Sequence, residues 1–364
     1  MRKAFVLLWA EISVENWKKS FEEGIRPDRS PYGYHYLEES GFDVLYSKSV
    51  KENHLSRIIR KSISRIFRAD LVHALRNIRG MAKSDYIFTH TDRETFSVLL
   101  LRTVFPWLIK AKTVCQIIWT PDLLKQQSKF GAKLLGAVLR KSDLVITLSS
   151  QNQDWLNQLD SRINAKSVKF GICHDSFSAE ALPAIRDDSA LRILAIGNDE
   201  HRDWKTFCSA LSDMGDVRVR VLSRTFRKSV ASCPDDWEIE SANSLSEVKN
   251  AYAWADLVVV PLKGNMHASG ITCVLEAAFL GVPVIAANTG GLTDYFDEGE
   301  VMYYETGSAE SLGLQVRRFA TDVSARRSYQ RAAFDRARNE TLTSKNYIDQ
   351  QVSLILARDA IGGT

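Results

Sequence analysis

The stretch Val258-Val259-Val260-Pro261-Leu262-Lys263-Gly264-Asn265-Met266-His267-Ala268-Ser269-Gly270-Ile271-Thr272-Cys273-Val274-Leu275-Glu276-Ala277-Ala278-Phe279-Leu280-Gly281-Val282-Pro283-Val284 decides the architecture. An apolar β-branched run enters a glycine-bearing loop, about ten residues of helix-forming sequence follow, and Gly281 separates them from a second apolar run. Strand, loop, helix and strand in that order is a βαβ unit, which demands a parallel sheet covered by helices on both faces. The next segment, Ile285 to Asp294, ends its strand in the Gly290-Gly291 turn.

The same habit runs outward in both directions. In the second half the segments 192–197, 217–222, 237–239, 257–261, 282–286 and 301–304 read as strands, and in the first half 4–10, 42–46, 86–89, 113–119, 144–148 and 168–172 do. The spacers between them carry helical periodicity, so the fold class is α/β with two doubly wound Rossmann-like domains. The polar segment 178–190, with Pro183, suits a linker. The expected division is therefore 1–180, 190–340, and a final amphipathic helix at 341–364 packing back toward the first domain.

The chain has 364 residues, 45% of them hydrophobic and 25% charged, which excludes a largely disordered or collagen-like chain. Five cysteines without a C-x-x-C pair suggest neither a disulfide framework nor a zinc ribbon, and fit a reducing cytoplasm. The apolar opening Ala4 to Ala10 is cut off by Glu11, too early for a signal peptide, and no segment reaches transmembrane length. Net charge is +4, but residues 1–180 hold 28 Lys+Arg against 19 Asp+Glu while the remainder holds 20 against 25. The first half thus faces something anionic: a membrane, a phosphate-bearing acceptor or nucleic acid.

Ligands of open α/β sheets bind at the carboxyl ends of the strands. There, a helix starting near Gly270 offers unpaired N–H groups and the positive end of its dipole to a diphosphate, with Ser269, Ile271 and Thr272 at its first turn. Glu276, among apolar neighbours, needs hydrogen-bond donors such as vicinal ribose hydroxyls. Arg202 and Lys205, one helical turn apart after the strand 192–197, supply a guanidinium fork and an ammonium to the same diphosphate. No strand is followed by G-x-G-x-x-G, which disfavours a nicotinamide oxidoreductase.

With these residues in place, 190–305 resembles the nucleotide-sugar-binding domain of GT-B glycosyltransferases, family-4-like (glycosyl transferases group 1). The resemblance rests on the Arg202/Lys205 pair, on Glu276, and on Ala277 to Val284 as the Ala-x-x-x-Gly-x-Pro-Val element. It implies two domains facing across a cleft. It also implies transfer of a sugar, as in a hexosyltransferase, from a nucleoside diphosphate sugar, UDP-sugar favoured, to a hydroxyl of a glycan or polyprenyl-linked acceptor in bacterial polysaccharide or glycolipid assembly. No cofactor is implied beyond the donor substrate. The family's Glu-x7-Glu element is incomplete, because Ala268 stands where its first glutamate belongs; His267 and Ser269 are the nearest polar substitutes. No Asp-x-Asp motif accompanies the site, so no metal is expected.

The first half supplies the remaining candidates. His90, Asp92 and Glu94 follow one strand and Asp122 follows the next, so any of them is placed to take an acceptor proton, or else to cap local backbone. Arg29, Tyr32 and Tyr34 follow the first strand and its spacer, where tyrosine faces stack on sugar rings and arginine forks grip phosphates. Residues 51–83 carry nine Lys+Arg against two Asp+Glu, interleaved with apolar residues. Such a stretch binds anionic lipid headgroups or simply covers the sheet. The expected location is cytoplasmic, with peripheral attachment to the inner face of the plasma membrane, and nucleic acid is not among the expected partners. A nucleotide-sugar epimerase and a catalytically inactive membrane-associated binding protein of the same fold are the alternatives.

Overall fold

The structure, a computed structural model, describes residues 1–50, 54–124, 129–186, 190–228, 233–339 and 341–362. The chain divides into two compact units. The first comprises Met1–Ser20, Arg29–Val168 and Tyr347–Thr364, and the second Phe21–Asp28 and Lys169–Asn346. The boundary thus falls at 168/169, ahead of the proline-bearing 178–190 segment, and the short piece Phe21–Asp28 joins the second unit through the Ser176 hydroxyl, which donates to the Pro27 carbonyl.

In the first unit, β1 (Arg2–Leu7), β2 (Phe42–Tyr46), β3 (Tyr86–Thr89), β4 (Lys112–Gln116), β5 (Leu144–Thr147) and β6 (Ala165–Ser167) form one parallel sheet in the order β2-β1-β3-β4-β5-β6. In the second, β7 (Leu191–Ile196), β8 (Val217–Leu222), β9 (Glu238–Glu240), β10 (Leu257–Val260), β11 (Val284–Ala287) and β12 (Met302–Tyr304) run β12-β11-β10-β7-β8-β9. The last strand of the first sheet is Ala165–Ser167, not 168–172. After Val168 closes its bond to the Thr147 carbonyl, the chain leaves that sheet, and Ile172 instead exchanges backbone bonds with Leu342 and Ser344 of the second unit.

Central strands are apolar throughout because both faces are covered. All four residues of β10 are fully buried, each worth about 1.5–3 kcal/mol of transfer free energy. Helix ends are set by side chains: Ser149 caps the Ser150–Leu159 helix and Asp203 the Trp204–Leu211 helix, each accepting the N–H three residues on. The helix Ser344–Gly362 belongs from Tyr347 onward to the first unit. There Tyr347 donates to Gln116, Asp359 takes Lys112 and Tyr86, and Ser40 donates to Asp349 at 3.3 Å. Of the basic stretch, 51–53 lie outside the described residues. The remainder forms helices His54–Phe67, Leu71–Arg76 and Ile78–Ala82, with Arg57, Ile58 and Lys61 exposed. Arg60, by contrast, is buried against Asp70.

Candidate functional site

In the second sheet the chain builds β7, β8 and β9 outward in one direction, then returns to the other side of β7 for β10, β11 and β12. The switch point lies between β7 and β10, where loops from adjacent carboxyl ends diverge and leave a crevice. Those loops are 197–203 and 261–270, and the sequence candidates Arg202, Ser269 and Gly270 all fall on them.

Arg202 is only 4% exposed. Its Nε donates to the Ile196 carbonyl at 3.1 Å and its Nη2 to Cys273 Sγ at 3.2 Å, while Nη1 has no hydrogen-bond partner among the described residues. The guanidinium is threaded between two glycines. A Cβ on Gly197 (φ +143°) would stand 2.2 Å from Arg202 Nε, and one on Gly270 (φ +77°) 3.2 Å from Nη1 and 2.7 Å from Val260 Cγ1. Gly270 is also the N-cap of the Ile271–Phe279 helix, so a buried cation with an unpaired N–H lies beside a helix N-terminus.

Ile271 is buried and Thr272 exposed on that helix's first turn. Little more than one helical turn further, Glu276 accepts from the Tyr252 hydroxyl at 2.7 Å. Burial raises its carboxyl to about 7, against the opposing pull of that hydrogen bond and of Arg202. Lys205 is exposed on the Trp204–Leu211 helix. Gly290 (φ +62°) matters for backbone proximity: a Cβ there would stand 2.1 Å from the His267 carbonyl, so it holds the end of β11 against the 261–270 loop. Gly291 starts the short turn of helix Leu292–Asp294.

The Ser269 hydroxyl, a donor-site candidate, donates to Asp199 Oδ2 at 2.6 Å. Asp199 Oδ1 in turn accepts from the His201 N–H at 2.8 Å and lies 3.1 Å from His201 Nδ1. Burial works to raise the Asp199 carboxyl, yet these hydrogen bonds and Arg202 outweigh it and hold the group below the usual carboxylate range. His267 packs edge to face on His201 with ring centroids 4.7 Å apart. No metal was expected from the sequence, yet Asp199, His201 and His267 bring three ligand atoms within 4.8 Å of one another. Asp199 and His201 carried no signal of their own; their position directly after a central strand end, facing the loop that bears His267, is what could have found them.

The first unit has its own switch point, between β1 and β3. His90 lies there at 6% exposure, stacked on Tyr32 at 3.5 Å between centroids, with Tyr34 Oη 3.3 Å from its Nδ1. Burial lowers the imidazole to about 3, which keeps it neutral. Glu94, 2% exposed, accepts from the Thr91 hydroxyl, and burial raises its carboxyl to about 7. Asp92 has both oxygens engaged, by the N–H groups of Ile118, Trp119 and Thr120 and by the Thr120 hydroxyl, and so ties the loop after β4. Asp122 is half-buried in the first turn of the Thr120–Leu124 helix. Arg29 is exposed and lies 3.9 Å from Glu38. The fold therefore gathers Tyr32, Tyr34, His90 and Glu94, and gives Asp92 a fastening role.

Residues 175–322 match the family model for glycosyl transferases group 1. Sucrose-phosphate synthase of Thermosynechococcus elongatus superposes with a TM-score of 0.74 at 15% identity, over 100% of each chain. HepE of Anabaena, solved in complex with UDP-glucose, superposes at 0.67 with 12% identity, over 98% of this chain and 100% of its own. A glycosyltransferase of Rickettsia africae does so at 0.63 with 14% identity, over 98% of each. At such identities the likeness establishes the fold class, GT-B. No curated protein sequence matches the chain.

Proposed function

We propose that this chain, whose residues 175–322 match the glycosyl transferases group 1 family, moves a sugar from a nucleoside diphosphate sugar to a hydroxyl of a glycan or polyprenyl-linked acceptor. The observation that carries the reading is Arg202: a buried guanidinium with an unpaired Nη1, beside the Gly270 N-terminus of a helix, at the switch point of a doubly wound sheet. A buried cation with an N–H left unpaired is costly alone and is compensated when an anion arrives. A diphosphate leaving group supplies that anion, and stabilising its developing charge is the chemistry a glycosyl transferase needs. Glu276, deeper along the same helix, is placed for the ribose hydroxyls. UDP is the favoured nucleotide, in keeping with the UDP-glucose bound by HepE.

In the first unit Tyr32, Tyr34, His90 and Glu94 form the acceptor side. Glu94, with a carboxyl near 7, is the group suited to exchange a proton at neutral pH, whereas His90, lowered to about 3, positions the tyrosines.

Calorimetry of UDP, GDP, ADP and CMP against the full chain tests the donor assignment. One nucleoside diphosphate is expected to bind, with Arg202→Ala and Glu276→Ala each weakening it by about tenfold or more. Failure of every nucleotide to bind, or indifference to both substitutions, moves the inactive binding protein ahead. The exposed Arg57, Ile58 and Lys61 surface is proposed to meet anionic lipid on the cytoplasmic face. Sedimentation with anionic vesicles at low salt, lost on Arg57→Glu/Lys61→Glu, checks this; no sedimentation by the parent chain refutes it.

A further inference from the structure

Tyr252 lies in the helix Leu245–Trp254, which is fastened twice at its start: the Ser244 hydroxyl accepts from the Glu247 N–H at 3.3 Å, and Glu247 Oε2 accepts from the Asn243 N–H at 2.8 Å. Its ring is fully buried in the core of the second unit. The hydroxyl donates to Glu276 Oε2 at 2.7 Å and lies 3.3 Å from the Cys273 carbonyl oxygen. A phenol has one proton, and the shorter bond, to a carboxylate oxygen, is the stronger of the two. Packing alone does not call for this hydroxyl, since a phenylalanine would fill the same space apart from one oxygen. A buried hydroxyl is costly unless paired, and its pair here is Glu276.

Glu276 is half-buried whereas Tyr252 is closed off, so a ligand reaches the carboxylate and not the phenol. Among the described residues, the charged and titratable groups facing Glu276 are Tyr252, Arg202 from the loop after β7, and Cys273 on its own helix, whose sulfur accepts from Arg202 Nη2. Burial pushes the Glu276 carboxyl up to about 7, while the Tyr252 hydrogen bond, and after it Arg202, pull the other way. Burial also holds the Tyr252 phenol well above the usual tyrosine range, so at neutral pH it is a donor and not a rival anion.

On the donor-site reading above, on which this rests, Glu276 meets the ribose; we propose that Tyr252 is a positioning residue that fixes Glu276 Oε2 and keeps the carboxylate charged, leaving Oε1 to accept from the ribose hydroxyls. An ionised carboxylate accepts from both vicinal hydroxyls, whereas a protonated carboxyl gives up an acceptor and gains a donor. Recognition of the ribose therefore strengthens as pH rises through the Glu276 carboxyl, and losing the Tyr252 bond moves that rise upward, because the bond favours the charged form.

The full chain is titrated by calorimetry with UDP and with 2′,3′-dideoxy-UDP between about pH 6 and 8.5. Both carry the same diphosphate and base, so the ratio of their dissociation constants reads the ribose hydroxyls alone. In the parent chain the ratio is expected at about tenfold or more near pH 8, shrinking toward acid. Tyr252→Phe should lower the ratio by about threefold or more at neutral pH and move the midpoint of its pH profile upward by about one pH unit, with dideoxy-UDP affinity unchanged. Added to Glu276→Ala, it should change nothing further, because the bond it removes has no partner there. Should Tyr252→Phe fail to fold by circular dichroism, 3-fluorotyrosine in place of Tyr252 decides: it keeps the ring and the hydroxyl, donates more strongly, and is expected to move the midpoint downward. An unmoved pH profile in whichever variant folds, or equal loss of UDP and dideoxy-UDP affinity, makes Tyr252 a packing residue and overturns the proposal, while UDP binding keeps the donor reading. Equal binding of UDP and dideoxy-UDP by the parent chain overturns the ribose contact of Glu276 and the role of Tyr252 with it. No UDP binding by the parent chain overturns the donor reading and this proposal together.

Discussion

Each unit has a switch point in a parallel sheet, though the strand orders differ, β2-β1-β3-β4-β5-β6 against β12-β11-β10-β7-β8-β9, and the loops nearby are filled in opposite ways. At the β7/β10 switch point, backbone N–H groups and a guanidinium converge with glycines at φ +143° and +77°, and no carboxylate closes on Arg202 Nη1. In the first unit the N–H groups of Ile118, Trp119 and Thr120, in the loop after β4, are already engaged by the chain's own Asp92. Aromatic rings and His90 cover the rest. One unit supplies its own anion, while the other carries a buried arginine that is only half paired among the described residues.

Breaking the first arrangement should have the largest effect. Asp92→Ala strands three N–H groups, those of Ile118 and Thr120 buried, and the Thr120 hydroxyl, and is expected to lower stability by about 3 kcal/mol in urea melts. A loss below about 1 kcal/mol would mean that water replaces the carboxylate and that the contrast between the two units is lost. The next effect is electrostatic. Glu94 has its carboxyl raised from 4.5 to about 7, so the folded state holds a proton that the unfolded chain releases, and its contribution is complete below 4.5 and lost as pH rises through 7. Glu94→Gln should therefore gain on the parent chain by on the order of 2 kcal/mol between pH 4.5 and 7.5; a gap that does not change with pH contradicts this. The smallest change in stability belongs to Arg202→Met. Removing a cation with an unpaired Nη1 should alter stability by no more than about 1 kcal/mol, even as nucleotide binding disappears. A large loss would show the guanidinium to be a structural pin.

Much of this organisation was readable in the sequence. Fully buried β-branched runs such as Val258 to Val260 announce parallel strands, and glycines followed by a helix-forming run announce the Gly270 N-terminus. What escaped depended on which strand ends are neighbours. Asp199 and His267 are far apart in sequence and meet only because β10 inserts beside β7. Likewise the strand expected at 168–172 is apolar enough, but its partner is the 342–344 segment, not β5. Asp92 looked like a base because an acid at a strand end is chemically able to be one; only the geometry of the loop after β4 shows its oxygens engaged.

The membership of Tyr347–Thr364 in the first unit also bears on the order of synthesis. Tyr347 is fully buried and bonded to Gln116, so the unit that holds β1 to β6 lacks a core side chain until residue 347 has been added. The unit encoded in the middle has all its strands earlier, by Tyr304. On the ribosome, of these two units, the one whose strands emerge earlier is completed later.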